Sequence, residues 1–104
     1  MKISIITVTL NSSKTLRDTL NSVLSQTYKN IEHIIVDGGS RDETQAILKR
    51  YPNKNKKVYT KKGSGIYAAI NYGIKKSKGD FITILNSDDF YQSEITIKNV
   101  VKKN

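Results

Sequence analysis

The segment ISIITVTLNSSKTLRDTLNSVLSQTYKNIEHIIVDGGS, residues 3–40, decides the fold. Its first seven residues, Ile3 to Thr9, are β-branched apart from Ser4, a composition that predicts a buried strand. Asn11-Ser12-Ser13 breaks that strand and offers caps for a helix. Leu16, Leu20, Val23 and Leu24 then recur at i, i+4, i+7 and i+8, which predicts one apolar helix face ending near Thr27. Ile31 to Val36 reads as a second strand, closed by Asp37-Gly38-Gly39.

The remainder repeats the pattern. Ser40 and Glu43 have capping-box spacing ahead of Ala46, Ile47 and Leu48, and Pro52 ends that helix at Tyr51. Asn53 to Lys57 is expected to be a loop and Val58-Tyr59-Thr60 a short third strand. After the break Gly63-Ser64-Gly65, helical spacing runs from Ile66 to Lys76. Phe81 to Leu85 is the fourth strand, and a last helix starts at Ser93 or Glu94 with Ile97, Val100 and Val101 inward. Four alternations of strand and helix predict an α/β fold: a mostly parallel open sheet with helices on both faces, joined by right-handed crossovers. Ligands of such sheets lie beyond the carboxyl ends of the strands. The small or acidic residues Thr9 to Asn11, Asp37 to Ser40, Gly63 to Gly65 and Asn86 to Asp89 should therefore meet on one edge.

At 104 residues the chain is expected to form one domain. With no cysteine, disulfides and thiol nucleophiles are excluded. The single histidine, His33, sits mid-strand and reads as a packed residue, which argues against a zinc site or a Ser-His-Asp hydrolase. No apolar run approaches the ~20 residues of a membrane span. Met1-Lys2 leads directly into a strand and lacks the features of a signal peptide, so a cytoplasmic location is expected. Eighteen Lys and Arg against nine Asp and Glu give a net charge of +9. Such a field suits nucleic acid, an anionic membrane or a phosphorylated small molecule. The acid-free stretch from Lys49 to Lys62 also reads more plainly as a solvated loop.

Asp88 and Asp89 are the sharpest chemical feature. Two ionised carboxylates about 4 Å apart repel by about 4 kcal/mol at an effective dielectric of 20. A hard divalent cation offsets that repulsion, and Mg²⁺ or Mn²⁺ takes one or two carboxylates while substrate phosphates and water complete its shell. The plainer alternative is a solvated turn that starts the last helix. Asp37 at the end of the second strand can accept a hydrogen bond from a base N–H or a ribose hydroxyl, although Asp-Gly is also an ordinary turn dipeptide. There is no G-x-x-x-x-G-K-[ST] and no dinucleotide fingerprint.

These motifs, in this order, resemble family 2 glycosyltransferases of the GT-A fold, whose nucleotide-binding half is Rossmann-like. The stretch from Ile3 to DGGSRDET and the later GIYAAINYGIKKSKGDFITILNSDD carry the resemblance, which covers Ile3 to about Tyr91. It is nearest to bacterial enzymes that extend surface polysaccharides. The resemblance implies that Thr9, Asn11, Asp37, Ser40 and Asp88 bind a nucleotide-diphosphate sugar. It assigns Asp89 to a divalent metal, Mg or Mn, that bridges the diphosphate. Arg41 and Lys62 could help neutralise phosphate on charge alone. The implied reaction is transfer of the sugar to a saccharide or lipid-linked acceptor, with inversion. It further implies that this chain is an N-terminal donor-binding portion, truncated before the half that supplies the catalytic base. Peripheral contact with the inner face of a membrane is expected too. Gly63 and Ala68 stand where the family commonly has acids, and Arg41 and Glu43 replace the more usual Thr and Gly. Two other readings stay open. One is a basic nucleic-acid-binding module, against which the acids at the strand ends speak. The other is a non-catalytic remnant that folds alone or forms a homodimer through its open sheet edge.

Overall fold

In the computed structural model, which describes residues 1–51, 53–63 and 65–103, strands and helices alternate along the whole chain. They are β1 (Ile3–Thr9), α1 (Leu16–Leu24), β2 (Ile31–Asp37), α2 (Thr44–Arg50), β3 (Lys56–Thr60), α3 (Gly65–Lys76), β4 (Phe81–Ile84) and α4 (Thr96–Lys103). The strands form one sheet in the order β3-β2-β1-β4, and every pairing is parallel. The expected α/β architecture is therefore present, with all four carboxyl ends on one edge.

Side-chain alternation divides β1 and β2 between two layers. Ile3 and Ile5 pack with Val23 of α1 and Ile97 of α4, while Ile35 packs with Leu16, Leu20, Ile47 and Leu48 of α1 and α2. On the other face, Ile6, Ile34 and Val36 meet Ala69 of α3. Gly73 allows that approach: a Cβ there would lie 2.8 Å from Ile6 Cγ2. Helices thus cover both faces. Gln26, 1% exposed, ties α1 to α4: its amide donates to Ser22 O and Ser93 O, and its carbonyl accepts the Ile97 N–H.

Several boundaries differ from expectation. The expected loop Asn53–Lys57 contains the start of β3, because Lys56 pairs with His33 and its ammonium donates to Leu48 O and Tyr51 O at the end of α2. The capping box does not form. Ser40 Oγ donates to Asp37 instead, and the Thr44 N–H at the start of α2 is met by Asp42 Oδ1. The cap expected from Asn11-Ser12-Ser13 is not a side-chain one: Thr15 is the N-cap, and Ser12 O accepts the Thr15 and Leu16 N–H groups. α1 stops at Leu24, short of Thr27, and α4 begins at Thr96, after a turn built on Ser93 O. Asp37 is the last residue of β2, paired with Thr9 and Thr60. Ser64 and Pro52, named in the sequence reading, lie outside the described residues.

Two buried ionisable groups sit in this frame. Glu32 accepts from Ser4 Oγ and the Lys78 N–H, both at 2.5 Å, and its other oxygen faces the Lys57 and Lys2 ammoniums at 3.6 and 3.9 Å. Burial would raise its carboxyl, but these donors and cations hold it below its ordinary value. His33 is 1% exposed and bonded to Thr7 Oγ1 at 2.8 Å, as a packed residue should be. Burial, helped by Lys56, pushes its imidazolium down to about 3. Between that value and the ordinary 6.5, the unfolded chain binds the proton and the folded chain does not, so stability rises with pH across this window. Urea denaturation should accordingly show stability falling as pH drops below 6.5, by up to about 1.4 kcal/mol per pH unit. His33→Gln, which keeps a partner for Thr7, should flatten the curve between about pH 5 and 6.5.

Candidate functional site

The strand order reverses direction at β1: β2 and β3 lie to one side, and β4 to the other. Loops diverge at such a switch point and leave a crevice beyond the strand ends. A cleft of about 820 Å³ lies there, lined by residues 11–15 after β1, by Asn86, Ser87 and Asp88 after β4, and by Val8, Asp42 and Ile66. A neighbouring cavity of about 360 Å³ shares Val8, Ser12, Ile66 and Ser87, and adds Thr9, Gly38 and Lys61.

The loop after β1 is the hub. Asn11 adopts a positive φ of 50°, a conformation that Asn tolerates better than most residues. Its N–H donates to Ser40 Oγ at 2.9 Å, and its Oδ1 accepts the Arg41 N–H at 2.8 Å. The Ser12 N–H reaches Thr44 Oγ1, the Ser13 N–H reaches Asp42 Oδ2, and Ser12 Oγ meets Ser87 Oγ at 2.8 Å. One loop thereby joins those that follow β2 and β4.

Asp37 organises the second loop. Oδ1 accepts from Thr9 Oγ1 at 2.8 Å and from Ser40 Oγ at 2.5 Å. Oδ2 accepts the Gly39 and Ser40 N–H groups and Gln45 Nε2, at 2.9 to 3.1 Å. Burial alone would raise this carboxyl, but the bonds from Ser40, Thr9 and Gln45 outweigh it and hold it below its ordinary range. Asp37 also borders a depression of about 250 Å³ with Gln45, Leu48, Lys49, Val58 and Thr60. Gly39, at φ 99°, lies under Lys62, whose Cγ would be 2.8 Å from any Cβ added there. Arg41 is exposed at the rim.

Asp88 and Asp89 are exposed on the turn after β4, closed by the Asp89 N–H to Asn86 O bond at 3.0 Å. Asp89 Oδ1 accepts the Phe90 N–H, and neither carboxylate pairs with a Lys or Arg among the described residues. No group of three His, Cys, Asp or Glu occurs among the described residues. A pair of accessible carboxylates fits a hard cation that draws its other ligands from phosphate and water. It does not fit zinc, which calls for His or Cys.

Sequence reasoning missed what holds this turn. Thr15 Oγ1 donates to Ser87 O at 2.7 Å, and Thr19 Oγ1 donates to Ser87 O at 3.1 Å and to Asp89 O. Thr19 is fully buried on the apolar face of α1. A hydroxyl standing three residues after Leu16 and one before Leu20 was the available signal. Thr19→Val should lower stability by about 1–3 kcal/mol, because Asp89 O loses its donor while Ser87 O keeps only Thr15 Oγ1. It should also speed amide exchange at residues 87–90, and Thr19→Ser should restore both.

Comparison with known proteins agrees with this fold. The pattern described as Glycosyl transferase family 2 matches residues 4–103. An uncharacterized glycosyltransferase of Rickettsia typhi is 43% identical over 89 residues, which is 86% of this chain and 28% of that protein. S. aureus TarS 1–349, solved in complex with UDP-GlcNAc, superposes with a TM-score of 0.91 at 33% identity, over 98% of this chain and 30% of that one. The Pyrobaculum calidifontis mannosyltransferase PcManGT, solved with GDP-Man and Mn²⁺, has a TM-score of 0.90 at 22% identity, over 97% of this chain and 31% of that one, and shares the fold. The chain thus spans about a third or less of the length of each of these proteins. With the family pattern running through all but its ends, the chain belongs to glycosyl transferase family 2.

Proposed function

We propose that this chain binds the nucleotide-diphosphate sugar in a glycosyl transfer, and that a divalent cation, Mg²⁺ or Mn²⁺, joins the donor at Asp89. The observation that carries the reading is the 820 Å³ cleft at the β1/β4 switch point, with the Asn86–Asp88 segment on one wall and residues 11–15 on the other. Thr9 and Asn11 shape the nucleotide pocket, Asp37 and Ser40 hold the base side, and Asp88 turns to the ribose or the sugar. Both oxygens of Asp37 already accept several donors, so its first contribution is the form of the loop against which the base lies.

In the transfer, an acceptor hydroxyl attacks the anomeric carbon with inversion, the bond to the diphosphate breaks, and the hydroxyl proton passes to a base. A cation at Asp89 would stabilise the departing diphosphate. The residues of this chain serve the donor side: they bind it, orient it and set its charge environment. A saccharide or lipid-linked acceptor is the matching partner.

A nucleic-acid role has less to support it. Tyr59 and Tyr72 form an edge-to-face pair 5.8 Å apart, with Lys76 5.4 Å from both rings. Those faces are engaged within the fold, whereas single-strand binding relies on aromatic platforms.

Thermal melts test the proposal. UDP or GDP should raise the melting temperature in the presence of Mn²⁺ or Mg²⁺ and much less without them, since a ligand stabilises by its affinity for the folded state. Asp89→Ala should remove the metal-dependent part and leave the unliganded melt near that of the parent. A protein indifferent to nucleotide and metal together would refute the reading.

A further inference from the structure

We infer that the edge of the sheet opposite the cleft is a docking face for an anionic lipid surface. Because every strand is parallel, all the amino ends share that edge, and the crossover helices α1, α2 and α3 bring their C-termini to it. Arg50 closes α2, Lys75 and Lys76 close α3, and Lys54 and Lys78 precede β3 and β4. All five are exposed. Lys2 and Lys57, about 40% exposed, stand beside them and share the one buried carboxylate of Glu32. The other acids near this edge are Asp80, whose carboxylate accepts the Lys2 N–H, and Glu94, whose carbonyl accepts the Thr27 N–H.

Helix dipoles do not account for so much charge. A helix C-terminus calls for roughly half a unit of positive charge. Lys29 and Lys56 already donate to carbonyls at the ends of α1 and α2. What remains is a surplus spread across the full width of the sheet. On the cleft edge the balance differs: Asp37, Asp42, Glu43, Asp88 and Asp89 offset cations such as Lys14 and Arg41. Much of the positive charge of the chain therefore lies on this one edge.

A lipid surface fits this edge better than a polynucleotide. The charge is nearly all lysine, suited to diffuse attraction by a leaflet of anionic headgroups, to which each Lys near the surface adds. Met1 and Leu24, 50% and 39% exposed, lie on the same edge and give apolar contacts among the lysines, the combination that seats a protein at headgroup level. Of the tyrosines nearby, Tyr59 and Tyr72 pair with each other and Tyr28 packs on the core with its hydroxyl on Met1 O. Docked in this way, the chain holds its acidic edge about 23 Å away, the rise of seven strand residues. The cleft then faces water, where an anionic donor is not repelled by the membrane. The inference is independent of what the cleft binds.

Flotation with vesicles of phosphatidylcholine containing about a quarter phosphatidylglycerol tests it. Binding at low ionic strength should be lost in high salt and on pure phosphatidylcholine. The triple variant Lys54→Glu, Lys75→Glu, Lys78→Glu should bind about 100-fold more weakly. A control with the same change in charge, Lys14→Glu, Arg17→Glu, Arg41→Glu, should bind within about threefold of the parent, with circular dichroism checking that both remain folded. Because the chain has no cysteine, single labels report its orientation: brominated lipid should quench a fluorophore at Asn55→Cys and spare one at Glu43→Cys. No binding to the anionic vesicles, equal losses in the two triple variants, or quenching at Glu43→Cys alone would each overturn the proposal. So would tighter binding of single-stranded RNA through the same lysines.

Discussion

β1 has a parallel partner on each side, and its seven-residue register with β2 runs to the last residue of both strands. Thr9 and Asp37 are consequently neighbours at the point where both strands stop, and their side chains bond directly. A slip of one residue would turn every side chain of β1 to the opposite layer, taking Ile3 and Ile5 from α1 and α4, and Ile6 from α3. It would also separate Thr9 from Asp37. The pairing that builds the core therefore also fixes the starting geometry of the DGGS loop. The position of the cleft follows from the same strand, since β4 joins the free side of β1 and thereby creates the switch point.

Much of this was legible because the core is written in β-branched runs. Ile3 to Thr9, Ile31 to Val36 and Phe81 to Leu85 are too apolar and too short to be surface helices, and the helices between them show a clear stripe. The acids could be placed for the same reason: parallel strands send their carboxyl ends to one edge, where Asp37 ends β2 and Asp89 lies in the turn that follows β4. What could not be read locally depends on tertiary competition. Ser40 has the right spacing to cap α2, but Asp37 and the Asn11 N–H claim its hydroxyl. Lys56 looks like part of a solvated basic run, yet its stem passes into the fold and its ammonium serves carbonyls at the end of α2. Thr19 looks like a polar interruption in an apolar stripe until the turn after β4 supplies its acceptors. In each case the decisive partner is distant in sequence.

The two edges of the sheet divide the chemistry between them. The cleft edge is rich in hydroxyls, glycine and carboxylates, held by short side-chain bonds between loops. The amino edge is rich in lysine, and its one buried carboxylate, Glu32, is held ionised by Ser4, the Lys78 N–H and two ammoniums. Parallel topology makes this separation available to any sequence, because strand ends of each kind are gathered together. Here the composition uses it, and a net charge that looked undirected along the chain becomes directional in three dimensions.

The segment between β4 and α4 is tied at both of its ends to the same helix. Thr15 and Thr19 grip its start at Ser87 and Asp89, and Gln26 grips its finish at Ser93 and Ile97. A strap fixed in this way to one rigid rod has little freedom to swing outward as a lid does. Its remaining freedom is a torsional adjustment of the few residues between the ties, from Phe90 to Gln92. Any rearrangement at Asp88 and Asp89 then works against the hydroxyls of Thr15 and Thr19, so the start of α1 sets the stiffness of that wall of the cleft.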